Sequence, residues 1–431
     1  IKKIFLFVLI ISLNHSAYAV TLSESLLLAY KNNPELNAER ENFKVSKEDL
    51  KISRSEFLPT ITLSGSKSEE TTDKLTNRNG SNSAITDVNP KTQSIDIEQK
   101  IFQGFSGVAS LKKSKIGLNL AQAKLLKVEQ DILYRAVEAY SGLLFSNEKL
   151  KINQDNVDLL ERQVEADQAR LERGQITLAD LAQSESSLAG AQAKLIQAKN
   201  ELVTSKLIYE KLIGPINNFE TLNKNIDLIF EIPLNLDESI KISKINNPDL
   251  IISKLEFEQS EKDMIIARSD LSPSATLSFN SSRTDDLSSA FNERDKEILK
   301  ATITWPIFKG GKNAASLNKS KNLRNRKKLL FDNAIKTNET NVASAWSSLQ
   351  SSKSLLNSVE SQVKAAEIAN EGITVEYESG LGRSTLDLIQ SNSLLLNAQI
   401  SLADSEKNYI LSQFNLLKSM GLLNNEYLKI R

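Results

Sequence analysis

Phe57-Leu58-Pro59-Thr60-Ile61-Thr62-Leu63-Ser64 reads as the end of a helix and the start of a strand. The proline sets the break, because its ring bars the residue before it from helical geometry. Beyond it, Ile61 and Leu63 alternate with Thr60, Thr62 and Ser64 at the two-residue period of a strand. The junction recurs at Pro273, where Ala275, Leu277 and Phe279 alternate with Thr276, Ser278 and Asn280. Each copy then runs through a polar stretch, residues 67–92 and 281–296, before alternation returns. In the first copy Ile95, Ile97 and Ile101 are interleaved with Asp96, Glu98 and Lys100; in the second Leu299, Ala301, Ile303 and Trp305 are interleaved with Lys300, Thr302 and Thr304. Each copy therefore predicts one β-hairpin with an apolar and a polar face.

Reading back from the first junction, Thr21-Leu22-Ser23-Glu24 has the form of a capping box. A helix follows from Leu22 to Phe57, interrupted at Asn32-Asn33-Pro34. An offset of 214 residues recovers the same text without a gap: Leu22, Glu24, Asn32, Asn33, Pro34, Phe43, Asp49, Arg54 and Pro59 return as Leu236, Glu238, Asn246, Asn247, Pro248, Phe257, Asp263, Arg268 and Pro273. The period is far above that of solenoids, so the chain is a tandem duplication of two large units. Its predicted organisation is a leader over 1–19, a first repeat over 20–214, a linker over 215–235 and a second repeat over 236–431. Gly214-Pro215 stops the first repeat. In the linker, Ile226, Leu228, Phe230 and Ile232 alternate as a short strand, the pattern of a packed collar.

Reading forward from the hairpins, Ile101-Phe102-Gln103-Gly104 and Ile307-Phe308-Lys309-Gly310 correspond at an offset of 206. From there the pattern is helical over Ser106 to Arg173 and Lys312 to Ser379, about 68 residues each, or ~100 Å if continuous. Leu111, Leu118, Leu125 and Ile132 recur at sevens with Ala121 and Val128 beside them, a coiled-coil-like seam that Leu317 and Phe331 keep in part. Each long helix ends at a glycine, Gly174 or Gly380, and restarts at an Asp-Leu pair, Asp180-Leu181 or Asp387-Leu388. Two such turns in one chain predict a duplicated helical hairpin with a functional tip.

Composition narrows the chemistry. Lys2-Lys3, the apolar run from Ile4 to Ile11 and Ala17-Tyr18-Ala19 form a secretory leader pattern, with cleavage expected after Ala19. The run is too short to span a bilayer as a helix of ~20 residues. The chain has no cysteine, and its one histidine, His15, falls within the leader. A mature chain without His or Cys lacks the commonest general base, metal ligand and soft nucleophile. Carboxylate-pair hydrolysis survives that filter, but the sequence offers no compact domain to host it, so we expect no enzyme, no catalytic residues, no metal and no cofactor. Removing Lys2 and Lys3 leaves 52 basic residues against 54 acidic, a balance that points away from nucleic acid.

In an exported chain, strands approaching the 9–11 residues of a transmembrane β-strand, apolar on one face and polar on the other, suit a water-filled membrane barrel. Four strands cannot close a barrel, since closure needs about eight or more. Several chains would have to share one; a dimer gives eight strands and a trimer twelve, and the sequence does not choose.

With both copies in view, the chain resembles the TolC-type outer membrane efflux channel family over essentially its whole mature length. The resemblance rests on Asn32-Asn33-Pro34 and Asn246-Asn247-Pro248, Phe57-Leu58-Pro59 before a strand, Ile101-Phe102-Gln103-Gly104 and Trp305-Pro306-Ile307-Phe308-Lys309-Gly310-Gly311 after one, and the two glycine-to-Asp-Leu turns. It implies a mainly α fold with transmembrane β: a homotrimer building a β-barrel in the outer membrane and a long α-helical barrel in the periplasm. It implies a passive duct for efflux or type I secretion, working with a periplasmic adaptor (membrane fusion) protein and an inner membrane pump or ABC secretion ATPase, in contact with outer membrane lipid. It further implies a gate at the tip, with Tyr377 as gating tyrosine, Arg383 as gating arginine and Asp180 as the aspartate on the facing turn. Asp387 matches a constriction-ring carboxylate, and Gln390 stands where the family often has a second one. An alternative reading is a surface or periplasmic structural trimeric coiled coil, against which the duplicated hairpins argue. A soluble periplasmic adaptor fails on the same hairpins.

Overall fold

The computed structural model describes residues 21–73, 75–76, 79–80, 82–83, 86–216, 218–219, 222–224, 230–288, 290–380 and 382–429. The leader at 1–19 lies outside them, as do Ile226 and Leu228 of the linker. Both halves follow the order helix, helix, β-hairpin, long helix, helix, with four additional short strands in the first. The first has α1 (Leu22–Asn32), α2 (Pro34–Ser55), β1 (Thr60–Lys67), β2 (Glu70–Thr72), β3 (Leu75–Thr76), β4 (Asn82–Ser83), β5 (Thr86–Val88), β6 (Lys91–Gln103), α3 (Ser106–Glu172) and α4 (Leu178–Leu212). The second has α5 (Leu236–Asn246), α6 (Pro248–Ser269), β7 (Ser274–Ser288), β8 (Phe291–Thr304), α7 (Lys312–Glu378) and α8 (Thr385–Met420). None of the eight prolines falls inside the two 67-residue helices α3 and α7, so each keeps its hydrogen-bond ladder unbroken.

Two compact units result. One, residues 39–125 and 248–337, holds the sheet. Its four main strands run in the order β1-β6-β7-β8, all antiparallel, so the two hairpins lie side by side and β1 and β8 are edges. Directly opposed residues share a face, which joins Ile61 to Ile97, Ile97 to Phe279, and Phe279 to Leu299 in one apolar row. The opposite face carries Thr62, Asp96 and Asn280, and Asn280 Nδ2 donates to Asp96 Oδ1 at 2.6 Å. Three sequence expectations change here. A bulge between Lys100 and Phe102 drops Ile101 out of the alternation and sets Phe102 opposite Ala275. The polar stretch of the second copy is not a loop, since β7 runs through Ser288 and β8 starts at Phe291. The first copy's polar stretch likewise pairs, β2 with β5 and β3 with β4. Backbone pairing needs no apolar side chains, so a strand can continue where the alternation of hydrophobicity ends.

The other unit holds α1, α4, α5, α8 and parts of α3 and α7. The Asn-Asn-Pro motifs explain themselves here. Asn33 Oδ1 accepts from the amides of Glu35 and Leu36, capping α2, while its Nδ2 donates to the Leu212 carbonyl at the end of α4. In the second half Asn247 Nδ2 donates to the Ser419 carbonyl, the equivalent point of α8. Each motif thus ties the first helix of its repeat to the last. Both helical hairpins also repeat one core: Val157, Leu160, Ala191 and Leu195 in the first, Val363, Ala366, Ala398 and Leu402 in the second. Paired hydroxyls recur as well, Ser146 with Ser205 and Ser352 with Ser412, each at 2.7 Å. Small side chains at these crossings let the backbones approach closely.

Of the expected linker strand, Ile226 and Leu228 lie outside the described residues; residues 230–234 are neither helix nor strand, although Phe230 packs on Phe414 at 5.3 Å. The linker is held by charge as well, Lys224 Nζ lying 2.9 Å from Glu148 Oε1 and 2.6 Å from Glu406 Oε2.

Candidate gate at the helix turns

Two turns reverse the long helices. Gly174 and Gly380 follow the last residues of α3 and α7 with φ of 67° and 70°, the left-handed geometry that closes a helix. The next helices start alike. Thr177 and Asp180 form a capping box on α4, with Asp180 Oδ2 accepting from the Thr177 amide at 2.9 Å and its hydroxyl at 2.7 Å. Ser384 and Asp387 repeat it on α8 at 3.0 and 2.9 Å. In one chain, then, both Asp-Leu aspartates fix helix starts. Arg383 is exposed and pairs with Glu376 at 2.6 Å, on its own hairpin and not with Asp180; Gln390 is exposed on α8.

Tyr377 is different. It is 6 % exposed and donates its phenol to Asp167 Oδ1 at 2.7 Å. Asp167 is fully buried, and also accepts from Gln163 Nε2 at 2.9 Å and Ser184 Oγ at 2.6 Å. The phenol lies 3.1 Å from Thr385 Oγ1, and the Arg170 guanidinium sits 4.3 Å from the centre of the Tyr377 ring. Gln163, Asp167 and Arg170 come from α3, Ser184 from α4, Tyr377 from α7 and Thr385 from α8, so this one cluster joins all four long helices. A buried carboxylate with three donors is strongly satisfied; remove it and the donors are stranded.

The family resemblance singled out Tyr377 and did not single out Asp167. The available signal was the spacing of Gln163, Asp167 and Arg170, which puts three polar residues on one face of a helix. The second copy has Ala369, Ile373 and Glu376 at the equivalent places, so comparison of the repeats hid it.

Charge states follow from the contacts. Burial raises the Tyr377 phenol above its ordinary value, with the adjoining Asp167 carboxylate adding to it, so the phenol remains a donor at neutral pH. The Thr177 hydroxyl and amide hold Asp180 below the ordinary carboxylate value of 3.8, and the Ser384 amide and hydroxyl do the same for Asp387. A carboxyl depressed in the folded state stabilises above its unfolded value, and that stabilisation is lost as pH falls through the folded one. The first turns of α4 and α8 should therefore keep amide-exchange protection at neutral pH and lose it only below about pH 4. In Thr177→Ala and Ser384→Ala the Asp180 and Asp387 carboxyls should titrate nearer 3.8; unmoved carboxyl titrations would contradict this.

Among the described residues no helix is long and apolar enough to cross a membrane, and no group of acidic or His and Cys side chains could hold a metal.

Comparison with known proteins gives consistent results. A family model described as "Outer membrane efflux protein" matches residues 26–214 and 240–422, once in each half. The chain is 24 % identical to the outer membrane efflux protein BepC of Brucella suis over 417 residues, 96 % of this chain and 88 % of that protein. It is 19 % identical to the alkaline protease secretion protein AprF of Pseudomonas aeruginosa, over 97 % of this chain and 88 % of that one. Among solved structures, the Campylobacter jejuni CmeC outer membrane channel superposes with a TM-score of 0.81 at 18 % identity, covering 93 % of this chain and 85 % of CmeC.

Proposed function

This chain belongs to the outer membrane efflux protein family, and from that premise we propose that it is the passive exit duct of a tripartite efflux or type I secretion system. It works as a homotrimer, with the sheet in the outer membrane and the helices in the periplasm. A periplasmic adaptor and an inner membrane pump or secretion ATPase supply cargo and energy, and the duct itself catalyses nothing. The observation that carries this reading is the sheet: β1 and β8 are unpaired edges, and Ile61 and Ile303 near them are 68 % and 77 % exposed. An exposed apolar edge strand is unstable in water. Three copies joined β1 to β8 would give twelve strands, closing every edge and turning the apolar face to lipid.

The tip supports a gate at the periplasmic end. Tyr377 and Asp167 tie the second helical hairpin to the first, and separating the hairpins has to break that contact. Asp180, Arg383, Asp387 and Gln390 lie on or next to the two turns, available to neighbouring copies around the trimer axis.

Outer membrane fractions of expressing cells should yield heat-resistant trimers. Deleting the gene should sensitise cells to detergents and dyes or abolish secretion of an exported protein. A monomer in the soluble periplasmic fraction, with no change in sensitivity or secretion on deletion, would contradict the proposal.

A further inference from the structure

At the base of the sheet, a cavity of about 370 Å³ opens between the strands and the turns that lead into the helices. Lys100, Thr276 and Thr304 line it from the polar face of the sheet, and Asp270, Ser272 and Lys309 from the turns. Its walls are fixed by hydrogen bonds. Trp305 Nε1 donates to the Leu271 carbonyl at 3.1 Å, Asn313 Nδ2 to the Asp270 carbonyl at 2.6 Å, and Ser106 Oγ to the Gln103 carbonyl at 2.8 Å.

The charges in it are unspent. In the same unit Lys113 pairs with Asp263 at 2.6 Å, Lys327 with Glu256 at 2.6 Å and Arg324 with Glu261 at 3.5 Å. The Lys100 and Lys309 ammoniums form no ion pair among the described residues, and neither reaches Asp270, the one carboxylate in the lining. Two exposed ammoniums and several hydroxyls around a lining whose backbone is held in place are the donor set that a multiply charged oxyanion needs, with its oxygens accepting from each.

We propose that this cavity is an oxyanion-binding site, taking inorganic phosphate or the phosphate group of a small organic molecule. That it faces water and not lipid rests on the duct reading above, which turns the polar face of the sheet inward. In a trimer the site would occur three times around the base of the barrel, giving anionic cargo a place to pause. Asp270 opposes the bound charge and sets the sign of one test.

Purified full-length protein in detergent, in a buffer free of other oxyanions, should bind inorganic phosphate saturably by calorimetry at one site per chain. The double variant Lys100→Gln/Lys309→Gln should bind about tenfold more weakly, as expected for losing two exposed charge contacts. Asp270→Asn should bind more tightly than the parent. No saturable binding, unchanged affinity in the double variant, or weaker binding by Asp270→Asn would each overturn the proposal. So would a short-chain phosphatidylglycerol that binds when inorganic phosphate does not, since that marks a lipid headgroup site. The same preparations run in planar bilayers separate the two readings: channels without phosphate binding overturn the site alone, whereas absence of channels overturns the duct.

Discussion

A chain carrying Asp167→Ala and Leu388→Cys is expected to react with a membrane-impermeant thiol reagent about tenfold faster than one carrying Leu388→Cys alone. The wild-type chain has no cysteine, so the introduced thiol is the only one labelled. Leu388 is 3 % exposed in the first turns of α8, beside Thr385. Asp167→Ala strands the Tyr377 phenol, the Ser184 hydroxyl and the Gln163 amide without their shared acceptor. A buried donor left unsatisfied costs about 1–3 kcal/mol, and 1.4 kcal/mol is a factor of ten in the population of a separated state. Arg383→Ala removes only an exposed pair with Glu376, and should change labelling by less than about twofold. Unaltered labelling of Leu195→Cys, buried in the core of the first helical hairpin, would show that Asp167→Ala loosens the tip and not the fold. Equal labelling rates at Leu388→Cys with and without Asp167 would mean that the buried cluster does not hold the tip.

Gly421→Ala should prevent the chain from accumulating as a folded, heat-resistant oligomer. Gly421 ends α8 at φ 80°, and its amide donates to Lys418 and Leu417 carbonyls. A side chain in that left-handed geometry is strained by about 1–2 kcal/mol. The larger penalty comes from packing: a Cβ there would overlap the Asn246 carbonyl and come within 2.7 Å of the Asn247 amide nitrogen. These are backbone atoms of the Asn-Asn-Pro turn, which Asn247 ties to the Ser419 carbonyl, so nothing there can swing aside. Together strain and overlap should destabilise by at least ~3 kcal/mol. Gly372→Ala, inside α7 with open space around its Cα, makes the contrast. It should stabilise by about 0.5–1 kcal/mol, because alanine is the better helix former. Similar yields of both variants would show that the close approach at Gly421 is not needed.

The fold was legible where local periodicity and punctuation agree. Pro59 and Pro273 mark the helix-to-strand junctions, and the gap-free recurrence around Asn-Asn-Pro exposed the duplication before any contact was known. The pairing of β6 with β7 was not legible, because it joins residues nearly two hundred apart and leaves no local pattern. Nor was the continuation of β7 through Ser281 to Ser288, where backbone pairing persists without alternating apolar residues. Ile101 fitted the alternation on paper; the bulge that removes it is a property of the paired strand, not of the residue. At the tip, the glycine turns were legible in the sequence, and it was the family resemblance that singled out Tyr377, Asp180 and Asp387 beside them. What the two aspartates do within one chain is cap helices. Asp167 lay seven residues before its glycine, in an ordinary-looking helix, and its importance comes from Ser184 and Tyr377 on two other helices meeting it, with Thr385 on a third meeting the Tyr377 phenol.

The proposed duct would be shut at its helical tip by the Tyr377–Asp167 contact. Single-channel recording of the purified chain in planar bilayers tests it most directly, with wild type and Asp167→Ala measured side by side. The account predicts discrete current steps for both, small and rarely open in the wild type, larger or about tenfold more often open in the variant. Absence of discrete steps from either protein, or identical conductance and open probability in the two, would contradict it.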